Sequence, residues 1–290
     1  MPACRPPSLL RCAQALSCCL AFSTAAAAGP WLPGEGDGCV AAWALCFILT
    51  LLLLAADALG RPPPRRDLPL AYAAAATIAC AAAATIWGLG HLRRHDGRDA
   101  GTRPHALRAA ATAASCLAAL AYAAEVARDR ARPGQSAPLL ATPPGLLKVA
   151  ETMLALLLLG LAAEQGAGSG PPAWRWCLGI YCTSFALGAL LVGGCLWGWG
   201  GCGWGQDPVA TRRALGAYAA AGVLAYGAAA VLWPLYSFRE EMGGQPRRPG
   251  GCGPTCPWDR WVLVALLTAI NLLAYGVDLV QTGRLVLLRA

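Results

Sequence analysis

Long apolar runs recur along this chain, and short segments rich in proline, glycine and charged residues separate them. At about 1.5 Å per residue, a helix of about 20 residues crosses a hydrocarbon core about 30 Å thick, and the runs reach about this length. The predicted fold class is therefore all-α and polytopic. The pattern predicts eight transmembrane helices, near residues 9–28, 39–59, 68–89, 109–126, 146–164, 174–197, 213–236 and 259–281.

Polar positions inside these runs repeat, which indicates that the chain consists of two related halves. The segment AYAAE, which ends in Glu125 in the fourth run, is matched by AYGVD, which ends in Asp278 in the eighth. LLRCAQ at 9–14 in the first run is matched by LLKVAE at 146–151 in the fifth. The second and sixth runs share a Phe-x-Leu pattern, and the third and seventh share an equally spaced tyrosine and tryptophan.

The order of these matches predicts two tandem domains. The first covers residues 1–130 and the second residues 146–290, with a proline-rich linker at 131–145. Each half holds an even number of runs, so the two copies keep the same orientation in a membrane and are parallel rather than inverted repeats. We therefore expect two tandem four-helix bundles.

The first run has two interpretations. Residues 1–28 combine a basic start, an apolar stretch and an alanine-rich end, which is the pattern of a cleavable secretory signal. However, the matching segment at 146–151 opens a run deep inside the chain, where signal peptidase does not act. We therefore expect residues 9–28 to be a retained membrane helix.

Composition agrees with a membrane protein. Hydrophobic residues make up 57% of the chain and charged residues only 13%, whereas soluble domains carry about 25% charged residues. The net charge of +8 would suit nucleic acid, but the arginines lie between the apolar runs and form no basic face with interleaved aromatic residues. They are better explained as loop charges that set membrane topology, so we expect no nucleic-acid partner.

The loop charges also indicate an orientation. An even number of spans places both ends on one side, and basic residues are slightly more frequent on that side. Two loops on the other side, at 29–38 and 165–173, carry no basic residue, whereas a third, at 91–108, is rich in arginine and opposes the trend. The positive-inside rule then predicts cytoplasmic termini.

Carboxylates within the predicted spans are the main candidates for chemistry, because a charged side chain in a bilayer is costly and commonly functional. Glu125 and Asp278 can bind a proton or a cation. Alternatively, each forms a structural ion pair near the membrane surface, with Arg128 and Arg284 close in sequence, and this interpretation is favoured. Asp57, near the end of the second run, has the same two interpretations.

Two further polar residues lie within the spans of the second half. Glu151 follows Lys148 by three residues, so both lie on one helix face and can pair. Asn271 can hydrogen-bond to a neighbouring helix, which contributes about 1 kcal/mol. Both are better explained by packing than by chemistry.

The chain contains 14 cysteines, most of them inside apolar runs, where cysteine acts as a small hydrophobic residue. Cys252 and Cys256 lie in a loop predicted to face outside, where a disulfide is expected unless the thiols are free. Cys4 and Cys12 lie beside the start of the first helix and are candidates for palmitoylation. The three histidines share one loop of the other half, so we expect no metal site and no cofactor.

Six segments, some of them in loops, carry a resemblance to a known family. They are ARPGQ at 131–135, ATPPGLLKVAET at 141–152, VLWPLYSF at 231–238, GGQPRR at 243–248, LTAINLLAY at 267–275 and LLAYGVDLV at 272–280. These segments resemble the family of myeloid-associated differentiation markers and marker-like proteins, and the resemblance covers nearly the whole chain. That family has two tandem MARVEL domains, each a four-helix membrane unit.

The resemblance implies a multipass protein of the cholesterol-rich, raft-forming plasma membrane and cell junctions, acting in membrane organisation, cell spreading, migration or differentiation, without enzyme activity. Its expected partners are membrane lipids, cholesterol among them, and unidentified membrane or cortical proteins. The alternative is a small-solute or ion transporter or channel that uses Glu125 and Asp278. No Ser-His-Asp arrangement and no glycine-rich phosphate loop points to catalysis.

Overall fold

A computed structural model describes residues 6–31, 34–61, 67–92, 103–130, 140, 142–165, 170–197, 208–252 and 256–287. Within these ranges there are eight α-helices and no strand, and all eight helices are long and apolar enough to cross a membrane. The all-α, polytopic prediction is confirmed. The helices are α1 (Pro6–Ala27), α2 (Glu35–Ala58), α3 (Leu68–Trp87), α4 (Arg103–Asp129), α5 (Pro143–Glu164), α6 (Pro172–Trp197), α7 (Pro208–Phe238) and α8 (Pro257–Leu287).

The chain divides into two compact units, Met1–Ser136 and Ala137–Ala290. In the first unit α1 and α3 each pack against α2 and α4, and in the second unit α5 and α7 each pack against α6 and α8. The last helix of each unit thus returns to the first and closes a four-helix bundle. Two tandem bundles are what the sequence repeats predict. Most of the predicted linker at 131–145 lies outside the described residues.

Proline marks the start of every helix in the second unit. Proline is favoured at the first helical position because its fixed φ suits the helix and its missing N–H would have no partner there. Thr142 precedes α5 and accepts a hydrogen bond from the backbone N of Gly145 at 3.4 Å. The four prolines are Pro143, Pro172, Pro208 and Pro257.

The ends of three helices differ from the prediction by about five residues or more. Helix α4 begins at Arg103 rather than near 109, α7 begins at Pro208 rather than near 213, and α8 ends at Leu287 rather than near 281. The prediction that the seventh run ends near 236 places Pro234 at a helix end; α7 continues to Phe238, so Pro234 lies inside the helix, in its last turn. Hydropathy identifies only the apolar part of a helix, so polar or aromatic turns beyond it are missed.

Small residues and a few large rings fill the interior of the first unit. Trp43, Trp87 and Tyr122 are fully buried, and the rings of Trp43 and Trp87 meet edge to face with centroids 5.4 Å apart. Buried alanines of α3, among them Ala76 and Ala83, let the neighbouring helices approach closely. The second unit uses more aromatic rings, with Trp174 stacked on Trp233 and Tyr226 on Tyr275.

Large apolar side chains face outward from both units. Leu120 is 67% exposed and Leu273 is 69% exposed, whereas Thr50 and Ser115 are fully buried. In water this distribution would be unfavourable, but lipid tails solvate leucine as well as a protein interior does. The outer surfaces of these helices are therefore lipid-facing, and the polar groups lie inside.

Candidate functional site

Arg11 is the centre of a polar cluster inside the first unit. It lies in α1, is 8% exposed, and bonds carboxylates from two other helices. Its Nε donates to Glu125 Oε1 of α4 at 3.1 Å, and its Nη1 donates to Asp57 Oδ2 of α2. Glu125 is buried, whereas the Asp57 side chain is 39% exposed. The cluster thus joins three helices and reaches the surface at α2.

Gln14 supplies the remaining donor to Glu125. Three residues after Arg11, its Nε2 donates to Glu125 Oε2 at 2.7 Å and to the carbonyl oxygen of Ala121 at 3.3 Å. Both oxygens of the Glu125 carboxylate therefore accept hydrogen bonds. A buried carboxylate is stable when a cation and a complete set of donors surround it.

A layer of hydroxyl groups lies one turn away in the same unit. The Tyr122 hydroxyl is 2.5 Å from Thr50 Oγ1 and 3.1 Å from the Tyr72 hydroxyl. Tyr72 also donates to the carbonyl oxygen of Cys46 at 2.7 Å. Since these residues belong to α2, α3 and α4, every helix of the unit contributes to its polar interior.

Lys148 is the corresponding cation of the second unit. Its Nζ donates to Glu151 Oε2 of the same helix at 3.1 Å and to Asp278 Oδ2 of α8. The Lys148 side chain is 4% exposed, Glu151 0% and Asp278 1%. Nζ also lies 4.3 Å from the ring centroid of Tyr218, within range of a cation–π interaction. Here one cation faces two fully buried carboxylates.

Oxygen atoms without donors distinguish the second cluster from the first. Glu151 Oε1 and Asp278 Oδ1 are buried and have no hydrogen-bond partner among the described residues. Asn271 donates through Nδ2 to the carbonyl oxygen of Glu151 at 3.5 Å. The Oδ1 atom of Asn271 also has no hydrogen-bond partner among the described residues. The hydroxyls of Tyr218 and Tyr275 are 2.9 Å apart.

The two clusters occupy equivalent positions of the repeat. The match between 9–14 and 146–151 pairs the two cations, and the AYAAE and AYGVD segments pair the two acids of the last helices. A hydrogen bond between the second and fourth helices of each unit also recurs at equivalent positions. Trp43 Nε1 donates to Ser115 Oγ at 2.8 Å, and the Tyr181 hydroxyl bonds Thr268 Oγ1 at 2.7 Å.

The sequence alone predicts the acids and the pairing of Glu151 with Lys148, which the structure contains, but not the partners of Glu125 and Asp278. Arg128, expected to pair with Glu125, instead bonds Asp129 at 2.7 Å, and Arg284, expected near Asp278, is exposed. The partners are Arg11 and Lys148, which resemble loop charges because they lie near the starts of apolar runs. The signal that identifies them is the match between LLRCAQ and LLKVAE, which puts a cation in the first helix of each half.

Among the described cysteines, none of those predicted as sites bonds to either cluster. Cys252 and Cys256 form a disulfide between α7 and α8. Cys12 is exposed on α1, and Cys4 lies outside the described residues. Within the described part of the chain, no group of three or more His, Cys, Asp or Glu side chains could hold a metal ion.

Comparison with known proteins agrees with this architecture. The MARVEL membrane-associating domain matches residues 2–127, which include the whole Arg11 cluster. The myeloid-associated differentiation marker of Homo sapiens is 39% identical over 297 residues, which cover 98% of this chain and 89% of that protein. The chain belongs to the myeloid-associated differentiation marker family. The resemblance inferred from the loop and helix segments is thereby confirmed.

Other members of the marker family are similar over the same length. The marker homolog of Xenopus laevis is 34% identical, and the match covers 97% of this chain and 93% of that protein. The marker-like protein 2 of Homo sapiens is also 34% identical, over 97% of this chain and 92% of that protein. No solved structure matches. This member of the marker family is a multipass membrane protein with a MARVEL domain.

Proposed function

We propose that this protein is a non-enzymatic organiser of cholesterol-rich plasma-membrane or junctional domains, with roles in cell spreading, migration or differentiation. The distribution of polarity supports this proposal. Charged side chains deep in each unit are paired internally, while leucines such as Leu120 and Leu273 cover the outside. Such a surface packs laterally against lipids and other helices without exposing charge.

The second candidate is a transporter or channel that uses Glu125 and Asp278. The ion pair of Glu125 with Arg11 and that of Asp278 with Lys148 favour a structural role for both acids. Transporters commonly have helices that are broken at matching positions near mid-membrane. In this chain, Pro234 of α7 occupies the position that corresponds to the π-helical turn at Gly88–Leu92 in the first half. Both positions lie at or near the end of a helix rather than at mid-membrane.

We also propose that both termini are cytoplasmic and that the expected partners are membrane lipids, cholesterol among them, and other membrane or cortical proteins. With this orientation, the Arg11 and Lys148 clusters lie in the cytoplasmic half of the bilayer, because α1 and α5 begin on that side. Epitope tags at both ends and in the 91–108 loop, detected with and without permeabilisation, test this orientation. Detection of the end tags on intact cells would contradict it.

Reconstitution tests the organising role. The purified protein is placed in giant vesicles in which cholesterol-rich and cholesterol-poor phases coexist, and its distribution is imaged. We expect enrichment in the cholesterol-rich phase or at its boundary, and slower spreading of cells that lack the protein. A uniform distribution together with normal spreading would overturn the proposal. The Glu125→Ala, Asp278→Ala double variant separates the two candidates, because loss of a measured flux with normal surface expression would establish transport.

A further inference from the structure

The polar clusters of the two units differ at one position that decides how the acid of the last helix is satisfied. In the first unit Gln14 donates to Glu125 Oε2 at 2.7 Å. In the second unit the equivalent residue is Glu151, and an ionised carboxylate cannot donate. Glu151 Oε1 and Asp278 Oδ1 are consequently buried without a donor from the described part of the chain.

The charges of the second cluster do not balance when both acids are ionised. Lys148 supplies one positive charge, and Glu151 and Asp278 supply two negative charges, on side chains that are nearly fully buried. A carboxylate without a counter-charge in such surroundings takes up a proton instead of remaining ionised. In the first unit the additional acid is Asp57, whose partly exposed side chain can be solvated.

We propose that Glu151 and Asp278 bind one proton between them, so that the second unit contains an intramembrane proton-binding site that the first unit lacks. A protonated carboxyl group donates one hydrogen bond, so a proton on either acid supplies the missing donor. It also leaves Lys148 with one ionised partner. Protonation therefore restores the balance of charges and donors that Gln14 provides in the first unit, and the proton belongs to the pair rather than to one residue.

Among the residues that the structure describes, the other groups around the pair carry no charge that could replace the proton. Helix α7 contributes the phenols of Tyr218 and Tyr226, and α8 contributes that of Tyr275 and the amide of Asn271. Helix α6, which also packs against α5, contains no acidic or basic residue between Trp176 and Trp197. The remaining basic residue in α8 beyond Asp278 is the exposed Arg284.

Loss of this proton would weaken the contact between α5 and α8. It would leave two ionised carboxylates beside one ammonium group among side chains that are nearly fully buried, and repulsion would act across the interface that Lys148 otherwise joins. We therefore expect the second unit to loosen at alkaline pH. The first unit, with Gln14 in place of the second acid, has no equivalent response.

Infrared difference spectroscopy on the full chain in lipid vesicles tests the site. The observable is the C=O stretching band of a protonated carboxyl group during a pH titration. We expect one such band in the wild-type protein at neutral pH and its loss at alkaline pH. Glu151→Gln and Asp278→Asn should each abolish the band, because each leaves a single acid for Lys148.

Matched variants of the first unit are the controls. Glu125→Gln should retain the band, whereas Gln14→Glu should add a second one by reproducing the second cluster beside Arg11. A wild-type protein without the band at neutral pH, or a band that survives in both Glu151→Gln and Asp278→Asn, would overturn the proposal.

Measurements on the unmodified sequence remain decisive if the variants fail to fold. Carbon-13 labelling of the aspartate or glutamate carboxyl groups should shift the band in wild-type protein. Exchanging sodium for a large organic cation should leave the band unchanged. A band that appears only after sodium is removed would mean that a metal cation occupies the site, and the proposal would be wrong.

Discussion

Gln14 Nε2 donates to Glu125 Oε2 across 2.7 Å, and this bond joins the first helix of its unit to the last. Gln14 is 1% exposed. A leucine of similar size would remove the donor and leave a buried carboxylate oxygen without a partner, which costs about 1–3 kcal/mol. We expect Gln14→Leu to lower the free energy of unfolding by this amount, measured by denaturation of the detergent-solubilised protein.

The control for this variant lies on the same helix. Leu16 is 70% exposed and faces lipid, so Leu16→Ala removes apolar bulk without altering the polar cluster. We expect almost no change in stability. Equal losses in both variants would show that the bond between Gln14 and Glu125 contributes nothing specific.

Removal of the second cation should have a larger effect. Lys148→Met leaves two buried carboxylates with no counter-charge, and breaking a buried ion pair from one side costs about 3–5 kcal/mol. We expect poor surface expression and a smaller monodisperse fraction in detergent, measured by size-exclusion chromatography. Adding Glu151→Gln and Asp278→Asn should recover part of the loss, because both acids are then neutral.

An exposed basic residue provides the comparison for Lys148→Met. Arg213 lies near the start of α7 and is exposed. Arg213→Met changes the net charge by the same amount, and we expect normal expression. If Lys148→Met behaved like Arg213→Met, the second cluster would not stabilise the unit.

Two glycines of α7 should respond in opposite ways to alanine. A Cβ at Gly222 would lie 2.3 Å from Tyr275 Cδ1, whereas a Cβ at Gly227 would have no heavy atom within 4 Å. Overpacking costs about 1–3 kcal/mol, so Gly222→Ala should destabilise the second unit. Gly227→Ala should be neutral or gain up to about 1 kcal/mol of helix propensity. Thermal unfolding in detergent distinguishes the pair, and equal melting temperatures would contradict the close packing of α7 against Tyr275.

The bonds that join the second and fourth helices should contribute similarly in the two units. Thr268→Val removes the 2.7 Å bond to Tyr181 at nearly constant volume, together with a bond to Val264 within α8. Ser115→Ala removes the 2.8 Å bond from Trp43, together with the bond that Ser115 donates to the carbonyl oxygen of Cys80 at 2.8 Å. Hydrogen bonds between membrane helices contribute about 1 kcal/mol, and we expect losses of this size from chemical unfolding.

Thr183→Val is the matching control for these bonds. Thr183 is exposed on α6 and, among the described residues, bonds only within its own helix, to the carbonyl oxygen of Gly179 at 2.9 Å and that of Ile180 at 3.1 Å. We expect its replacement to leave stability nearly unchanged. A loss as large as that of Thr268→Val would indicate that helix-internal hydroxyl bonds, rather than contacts between helices, account for the effect.

Hydropathy and the repeat were sufficient to predict the number of helices and their division into two bundles. Both are decided by properties that lie along the chain, namely the length of an apolar run and the order of matching segments. The repeat also places Glu125 and Asp278 at equivalent positions. Hydropathy does not show the starts of α4 at Arg103 and α7 at Pro208, because polar residues continue a helix beyond the membrane without an apolar signal.

The partners of Glu125 and Asp278 could not be identified from local sequence, unlike the pairing of Glu151 with Lys148. Arg128 is three residues from Glu125 and is the obvious choice, whereas Arg11 is 114 residues away. Which of them bonds the acid depends on the closure of the bundle between α1 and α4, and hydropathy does not specify which helices become neighbours. The difference between Gln14 and Glu151 is visible in the alignment, but its meaning depends on the contacts of each residue.

The distance along the chain between each cation and its acids has a consequence for biosynthesis. Lys148 has Glu151 within its own helix, so α5 leaves the ribosome with an internal counter-ion. The partners of Arg11 are synthesised later, Asp57 after a further 46 residues and Glu125 after a further 114 residues. We expect α1 to remain at the edge of the insertion machinery until α4 has been synthesised, and truncation before α4 should therefore leave the nascent first helix incompletely integrated.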